Sequence, residues 1–193
     1  MGILDRRKKK APLSPQPAAP EAGRKPCGPP LAEIARLISY GDEAVLQEVS
    51  ACTADPQAWF AAHQDRYEER GVLSGGDLEL VQWLGLADIL EEHGCVCERD
   101  WKDEKEDFIF FVQNLKGFRE QSLVLDPAWL DGEDDIPAWC HVLAEKWSSQ
   151  EVRMAAIDMD SDSYVLFPVP SGQFPALQKA AREIGRPIHY VER

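Results

Sequence analysis

From residue 31 onward the apolar positions recur at helical spacing. Leu31, Ile34, Ala35 and Ile38 fall at i, i+3, i+4 and i+7, which predicts a helix over 31–39 ended by Gly41. Asp42 is placed to cap a second helix through about Ala51, with Val45, Leu46 and Val49 inward. Asp55-Pro56 opens a third, because proline at the first helical position loses only an N–H that would have no partner anyway. Trp59, Phe60, His63 and Tyr67 share its face, and Gly71 closes it. Residues 31–71 therefore read as a helical part.

The densest patterning lies between 77 and 116. After Asp77, polar residues fall mainly at Glu79, Gln82, Asp88 and Glu91, a stripe so narrow that the helix must be buried on most sides. Gly94 ends it, and Cys95 to Trp101 alternates as a strand. Asp103 and Glu106 have capping-box spacing, and Phe108, Phe111, Val112 and Leu115 share a helical face that stops at Lys116-Gly117. Leu123-Val124-Leu125 suggests a short strand, followed by loop. Asp135 caps a helix with Pro137 in its first turn and Trp139, Val142, Leu143 and Trp147 inward.

After Gln150 the pattern changes to period two or to continuously apolar runs. Val152–Ile157 and Tyr164–Val169 form a hairpin across the turn 158–163. Ser171 opens a helix carrying Phe174, Leu177, Ala181 and Ile184, ended by Gly185 and Pro187, and Ile188–Val191 is a last strand. The expected fold is α+β on a single domain, 31–193. Short N-terminal helices precede a small, mostly antiparallel sheet, with a C-terminal β-β-α-β unit flanked by helices.

Composition changes the picture at the N-terminus. Residues 1–30 hold seven of the 14 prolines and no apolar period, so a disordered tail is expected there. That segment carries 7 basic and 2 acidic residues; the remainder has 21 − 7 = 14 basic and 34 − 2 = 32 acidic, a net of −18. So acidic a body repels phosphate backbones and favours basic partners or cations, which argues against nucleic acid. The basic cluster Arg6 to Lys10 permits weak contact with an anionic membrane surface, but Arg6 stands where a myristoylation motif needs Ser or Thr. There is no apolar run long enough for a membrane span, and no secretory h-region. The 5 cysteines, an odd number without framework spacing, point to a reducing, cytoplasmic setting.

Candidate chemistry is sparse. His93, Cys95 and Cys97 would share one face of an extended segment, and Cys140-His141 could complete a zinc set; buried free thiols explain the cysteines equally well. Asp158, Asp160 and Asp162 open like a calcium loop, but Ser163 replaces the turn glycine and Val169 the bidentate glutamate. A metal-dependent hydrolase or divalent-metal module (Ca, Mg or Zn) on these aspartates, with Glu98 and Asp100 as further carboxylates, is the alternative reading. No nucleophile elbow, P-loop or dinucleotide fingerprint occurs, so no catalytic residue and no cofactor is assigned. The leading signal is acid interleaved with tryptophan: Glu98, Asp100, Trp101, Asp103, Glu104 and Asp107, then Trp129, Asp131, Glu133 and Asp134. Aromatic contact area steered by carboxylates suits a basic protein partner.

The segments WLGLADILEEHGCVCERDWKDEKEDF, AAIDMDSDSYVLFPV and FPALQKAAREIGRPIHYVE resemble, in that order, a bacterial family known as a domain of unknown function, over about residues 77–193. The resemblance implies a small cytoplasmic α+β domain and carries over no catalytic residues. In general style the chain is also similar to acidic immunity proteins that neutralise bacterial toxins, a likeness that implies a non-enzymatic binding role.

Overall fold

A computed structural model describes residues 28–192. Four helices start on aspartate caps where the sequence places them. Asp42 accepts from the Ala44 N–H to open α2 (Glu43–Ala54), and Asp55 from Ala58 to open α3 (Pro56–Ala62). Asp77 accepts from Leu80 to open α5 (Leu78–Glu92), and Asp135 from Ala138 to open α8 (Ile136–Lys146). The first helix, α1 (Gly28–Ile38), starts earlier than expected. Pro29 and Pro30 belong to its first turn rather than to a tail, since proline costs nothing there. The rest of the expected tail lies outside the described residues.

Other boundaries depart from expectation for physical reasons. The helix expected from Pro56 to Gly71 breaks at His63, whose ring nitrogen lies 2.8 Å from the Trp59 carbonyl, and resumes as α4 (Gln64–Glu69). The capping box at Asp103 does not form. α6 (Lys105–Asn114) starts without a side-chain cap, because both Asp103 oxygens take the Arg99 guanidinium at 2.7 and 2.5 Å. A bidentate charge-assisted pair outcompetes a lone backbone N–H. α6 does stop just before Lys116, where Leu115 turns extended at ψ 141°, but Lys116 then starts a separate short helix, α7 (Lys116–Glu120). Leu123–Leu125 joins no sheet. Its alternation is real, Leu123 and Leu125 inward and Val124 outward, but side chains satisfy its carbonyls: Trp147 donates to Val124 O and Gln113 to Leu125 O. The last helix, α9 (Phe174–Glu183), opens at Phe174 with no contribution from Ser171.

The strand expected from Cys95 is shorter at both ends: β1 spans Cys97–Asp100. Gly94, at φ +63°, lets Cys95 N reach Leu90 O at 2.8 Å and Gly94 N reach Glu91 O at 2.9 Å. These bonds make a Schellman close that keeps Cys95 part of the helix end. With β2 (Val152–Ile157), β3 (Ser163–Pro170) and β4 (Ile188–Tyr190), it forms an antiparallel sheet in the order β1-β3-β2-β4.

Helices cover both faces. Ala155, Ile157, Val165, Phe167 and Val169 pack with α1, α2, α5 and α9, while Met154, Ala156, Leu166 and Cys97 pack with α6 and α8. Burial on both sides explains why the central strands are almost continuously apolar. The buried α5 approaches its neighbours through Gly85, where a Cβ would lie 2.7 Å from Cys52 Sγ.

Candidate functional site

The turn after β1 is held from within. The Asp100 carboxylate accepts from the Lys102 N–H at 2.9 Å, and Arg99, forked on Asp103, lies 3.9 Å above the Phe111 ring. These bonds present Trp101, which is 50% exposed. Beside it the sheet opens into a cavity of about 510 Å³, bounded by Trp101, Ala156, Asp158, Asp162, Tyr164 and His189. The register explains the grouping. Cys97, Leu166, Ala156 and His189 stand in one cross-strand row, with Tyr164 two residues along β3 from Leu166. Ala156, packed in the same core as Val152, Met154 and the α8 side chains, offers only a methyl group to the floor of the hollow.

Two separate sequence signals therefore meet. Trp101 comes from the acid–tryptophan segment, and Asp158 and Asp162 from the aspartate turn. Tyr164 and His189 were not legible as site residues, since no local motif marks them and only strand pairing brings them here. Among the described residues no side-chain hydrogen bond engages Asp162, Tyr164 or His189. Burial, with the nearby Asp135 and Cys140 adding to it, raises the Tyr164 phenol above its ordinary value, so it stays a neutral hydroxyl.

The remaining acid–tryptophan residues divide by environment. Glu98 faces away from the cavity: Oε2 accepts from Arg70 at 2.7 Å and Oε1 from the Ser163 hydroxyl at 2.5 Å. Arg70 also donates to Asp88 at 2.8 Å. Burial pushes the Glu98 carboxyl up, but Arg70 and Ser163 more than offset it and leave it below the usual range. At Asp88 burial outweighs the same arginine and leaves the carboxyl raised. This network went unseen in the sequence because its members lie 18 and 28 residues apart.

Glu104 and Asp107 are exposed beside the start of α6, and Glu133 is exposed in the following loop. Asp131 caps the Glu133 N–H at 3.1 Å, Trp129 lies under Lys146, and Asp134 is half-buried and partnered. Lys105 Nζ reaches Leu130 O at 3.5 Å, and Trp139 Nε1 donates to Asp131 O at 2.7 Å. These bonds join the two acidic segments on one side of the molecule.

The zinc constellation does not assemble. Because Cys95 belongs to the helix end, Cys95 and Cys97 enter different cores instead of one face. His93 is 3.0 Å from Glu48, Cys140 is buried, and His141 is exposed toward Glu145. Burial pushes the Cys95 thiol up to about 11 and those of Cys52 and Cys97 to about 12, and raises Cys140 as well, so none is a ready thiolate. In the aspartate turn, Asp158 Oδ1 accepts from the Asp160 N–H at 2.8 Å, and Asp160, at φ +57°, lies outside the cavity. Among the described residues no three His, Cys, Asp or Glu side chains are grouped to hold a metal ion.

Fold and surface define an α+β protein with an antiparallel sheet between helical layers and a hollow lined by both carboxylates and aromatic rings. The chain belongs to the family described as Domain of unknown function (DUF6630), whose model matches residues 30–191. The match takes in the N-terminal helices as well as the segment that carried the resemblance. No curated protein and no solved structure matches the chain. Among the described residues no helix is long and apolar enough to cross a membrane.

Proposed function

We propose that the protein is a non-enzymatic, cytoplasmic binding module for a basic protein, in a toxin-neutralising or regulatory role, with residues 31–193 as its single domain. The observation that carries this reading is Trp101, held half-exposed by a prefixed turn beside two carboxylates, Asp158 and Asp162, that make no ion pair among the described residues. A rigid aromatic anchor with acids at its rim gives contact area without ordering cost and steers a cationic partner. The exposed Glu104, Asp107 and Glu133 supply the steering charge, whereas Glu98 and Asp103 serve internal ion pairs. Salt sensitivity follows, because exposed charges are screened within about 10 Å at moderate ionic strength.

The test is co-purification at low and moderate salt, with and without combined reversal of Glu104, Asp107 and Glu133 to lysine. Retention of a basic protein that weakens with salt and disappears on reversal supports the reading. No retained partner, or retention indifferent to both changes, overturns it. The alternative, a divalent-metal module or metal-dependent hydrolase on Asp158, Asp160 and Asp162, has in its favour two of the three carboxylates on one cavity. Thermal melts with calcium, magnesium, manganese and zinc decide it, since an ion bound only to the native state raises Tm.

A further inference from the structure

The cavity beside Trp101 bears a more specific chemistry than the acidic surface around it. Two carboxylates, Asp158 and Asp162, line it and no lysine or arginine does, so it opposes anions. Asp158 Oδ1 accepts the Asp160 N–H while Oδ2 has no hydrogen-bond partner among the described residues, nor has the Asp162 carboxylate. Trp101 and Tyr164 add two aromatic rings, and His189 a further polar group at the edge. Lys102 Nζ, 4.5 Å from the Trp101 centroid, covers one face of the ring, and a ligand cation has the remaining exposed surface of this 50% exposed side chain. Carboxylates combined with aromatic faces suit a weakly hydrated planar cation better than a compact ammonium, because a guanidinium both stacks and forks. The volume, about 510 Å³, is that of a small-ligand pocket and admits an arginine side chain with the peptide on either side of it.

We propose that the cavity bounded by Trp101, Asp158, Asp162 and Tyr164 is a guanidinium site that receives an arginine side chain of the basic partner. This rests on the docking reading above and names its anchor. The planar cation lies against the part of Trp101 that Lys102 leaves uncovered and directs its N–H groups to Asp162 and the free oxygen of Asp158, while the Tyr164 hydroxyl and His189 border the entrance.

The experiment titrates the full chain with a capped arginine peptide, followed by the indole N–H resonance of Trp101. Free arginine, a capped lysine peptide and the isosteric, uncharged citrulline peptide are the other arms. The arginine peptide should saturate and move the Trp101 and His189 signals, with citrulline and lysine weaker by at least about tenfold. Asp162→Asn and Trp101→Ala, both at solvent-accessible positions, should each weaken binding about tenfold or more with unchanged melting. Equal binding of arginine and citrulline peptides, or shifts that avoid these residues, overturns the site.

The two proposals fail separately. If a basic protein is retained and is sensitive to Glu104, Asp107 and Glu133 but not to Asp162→Asn or Trp101→Ala, the guanidinium site is overturned and the docking surface stands. If free arginine binds as tightly as the peptide and no protein is retained, the docking reading falls and the site belongs to a small guanidinium compound.

Discussion

Replacing Arg70 with methionine would strip two half-buried carboxylates of the donor they share. One nitrogen, Nη2, lies 2.8 Å from Asp88 and 2.7 Å from Glu98, and the three side chains are 23%, 12% and 25% exposed. Removing one partner of a buried ion pair costs about 3–5 kcal/mol, chiefly through the charge left behind. Glu98 keeps its bond from Ser163 and some solvent, so the lower end applies, about 3 kcal/mol at neutral pH. At about 2–4 °C per kcal/mol for a chain of this size, Tm falls by about 6–12 °C.

The loss depends on pH. In the native protein Glu98 is depressed, so its stabilisation is present above its ordinary pKa and fades as pH falls through the lower folded value. Asp88 is raised, so its contribution has the opposite sign, fullest below its ordinary pKa and lost as pH rises through the folded value. Without Arg70 both carboxyls sit high, so the deficit is largest at neutral pH and shrinks toward about pH 4 as both take up protons. Urea denaturation followed by tryptophan fluorescence at the two pH values measures it, with m unchanged. Adding Asp88→Asn and Glu98→Gln to Arg70→Met should recover most of the loss. A deficit below about 1 kcal/mol at neutral pH, the size of an exposed pair, would refute the reasoning. So would a deficit equal at both pH values.

Two further outcomes follow from packing. Gly85→Ala gains helix propensity but drives a methyl within 2.7 Å of Cys52 Sγ and 3.1 Å of Trp59 Nε1 and Tyr67 OH, for a net loss of about 1–2 kcal/mol. Denaturation curves should show Cys52→Ala partly rescuing it, a coupling that independent sites would not give. Native protein treated with iodoacetamide at mildly alkaline pH should leave Cys52, Cys95, Cys97 and Cys140 unmodified, because burial holds each thiol above its usual pKa. All four should label in denaturant, and peptide mapping that finds rapid native labelling at any of them contradicts their placement.

Helices and hairpin were legible because their signals are local. An aspartate oxygen reaches an N–H two or three residues on, so Asp42, Asp55, Asp77 and Asp135 announce their helices whatever the rest of the chain does. Strand patterning, period two or continuously apolar, marked β2 and β3 in the same way. It misled at Leu123–Leu125, where alternation records burial and not a ladder partner. At Asp103 a cap motif lost to Arg99, four residues back, because a guanidinium is the stronger partner for a carboxylate.

The site itself depended on distance in sequence. Trp101, Asp158, Tyr164 and His189 share a hollow only because β1 pairs with β3, β3 with β2, and β2 with β4. A shift of one residue in any of those registers would turn the side chains to the other face of the sheet. The same tertiary choice sent Glu98 to Arg70 and parted Cys95 from Cys97. By itself the sequence determined the elements, their caps and the acidic character of the body, all of them short-range or additive properties. Which carboxylates are neutralised inside and which face the hollow beside Trp101 was decided only by packing, where burial and long-range pairing set the energy of each charge.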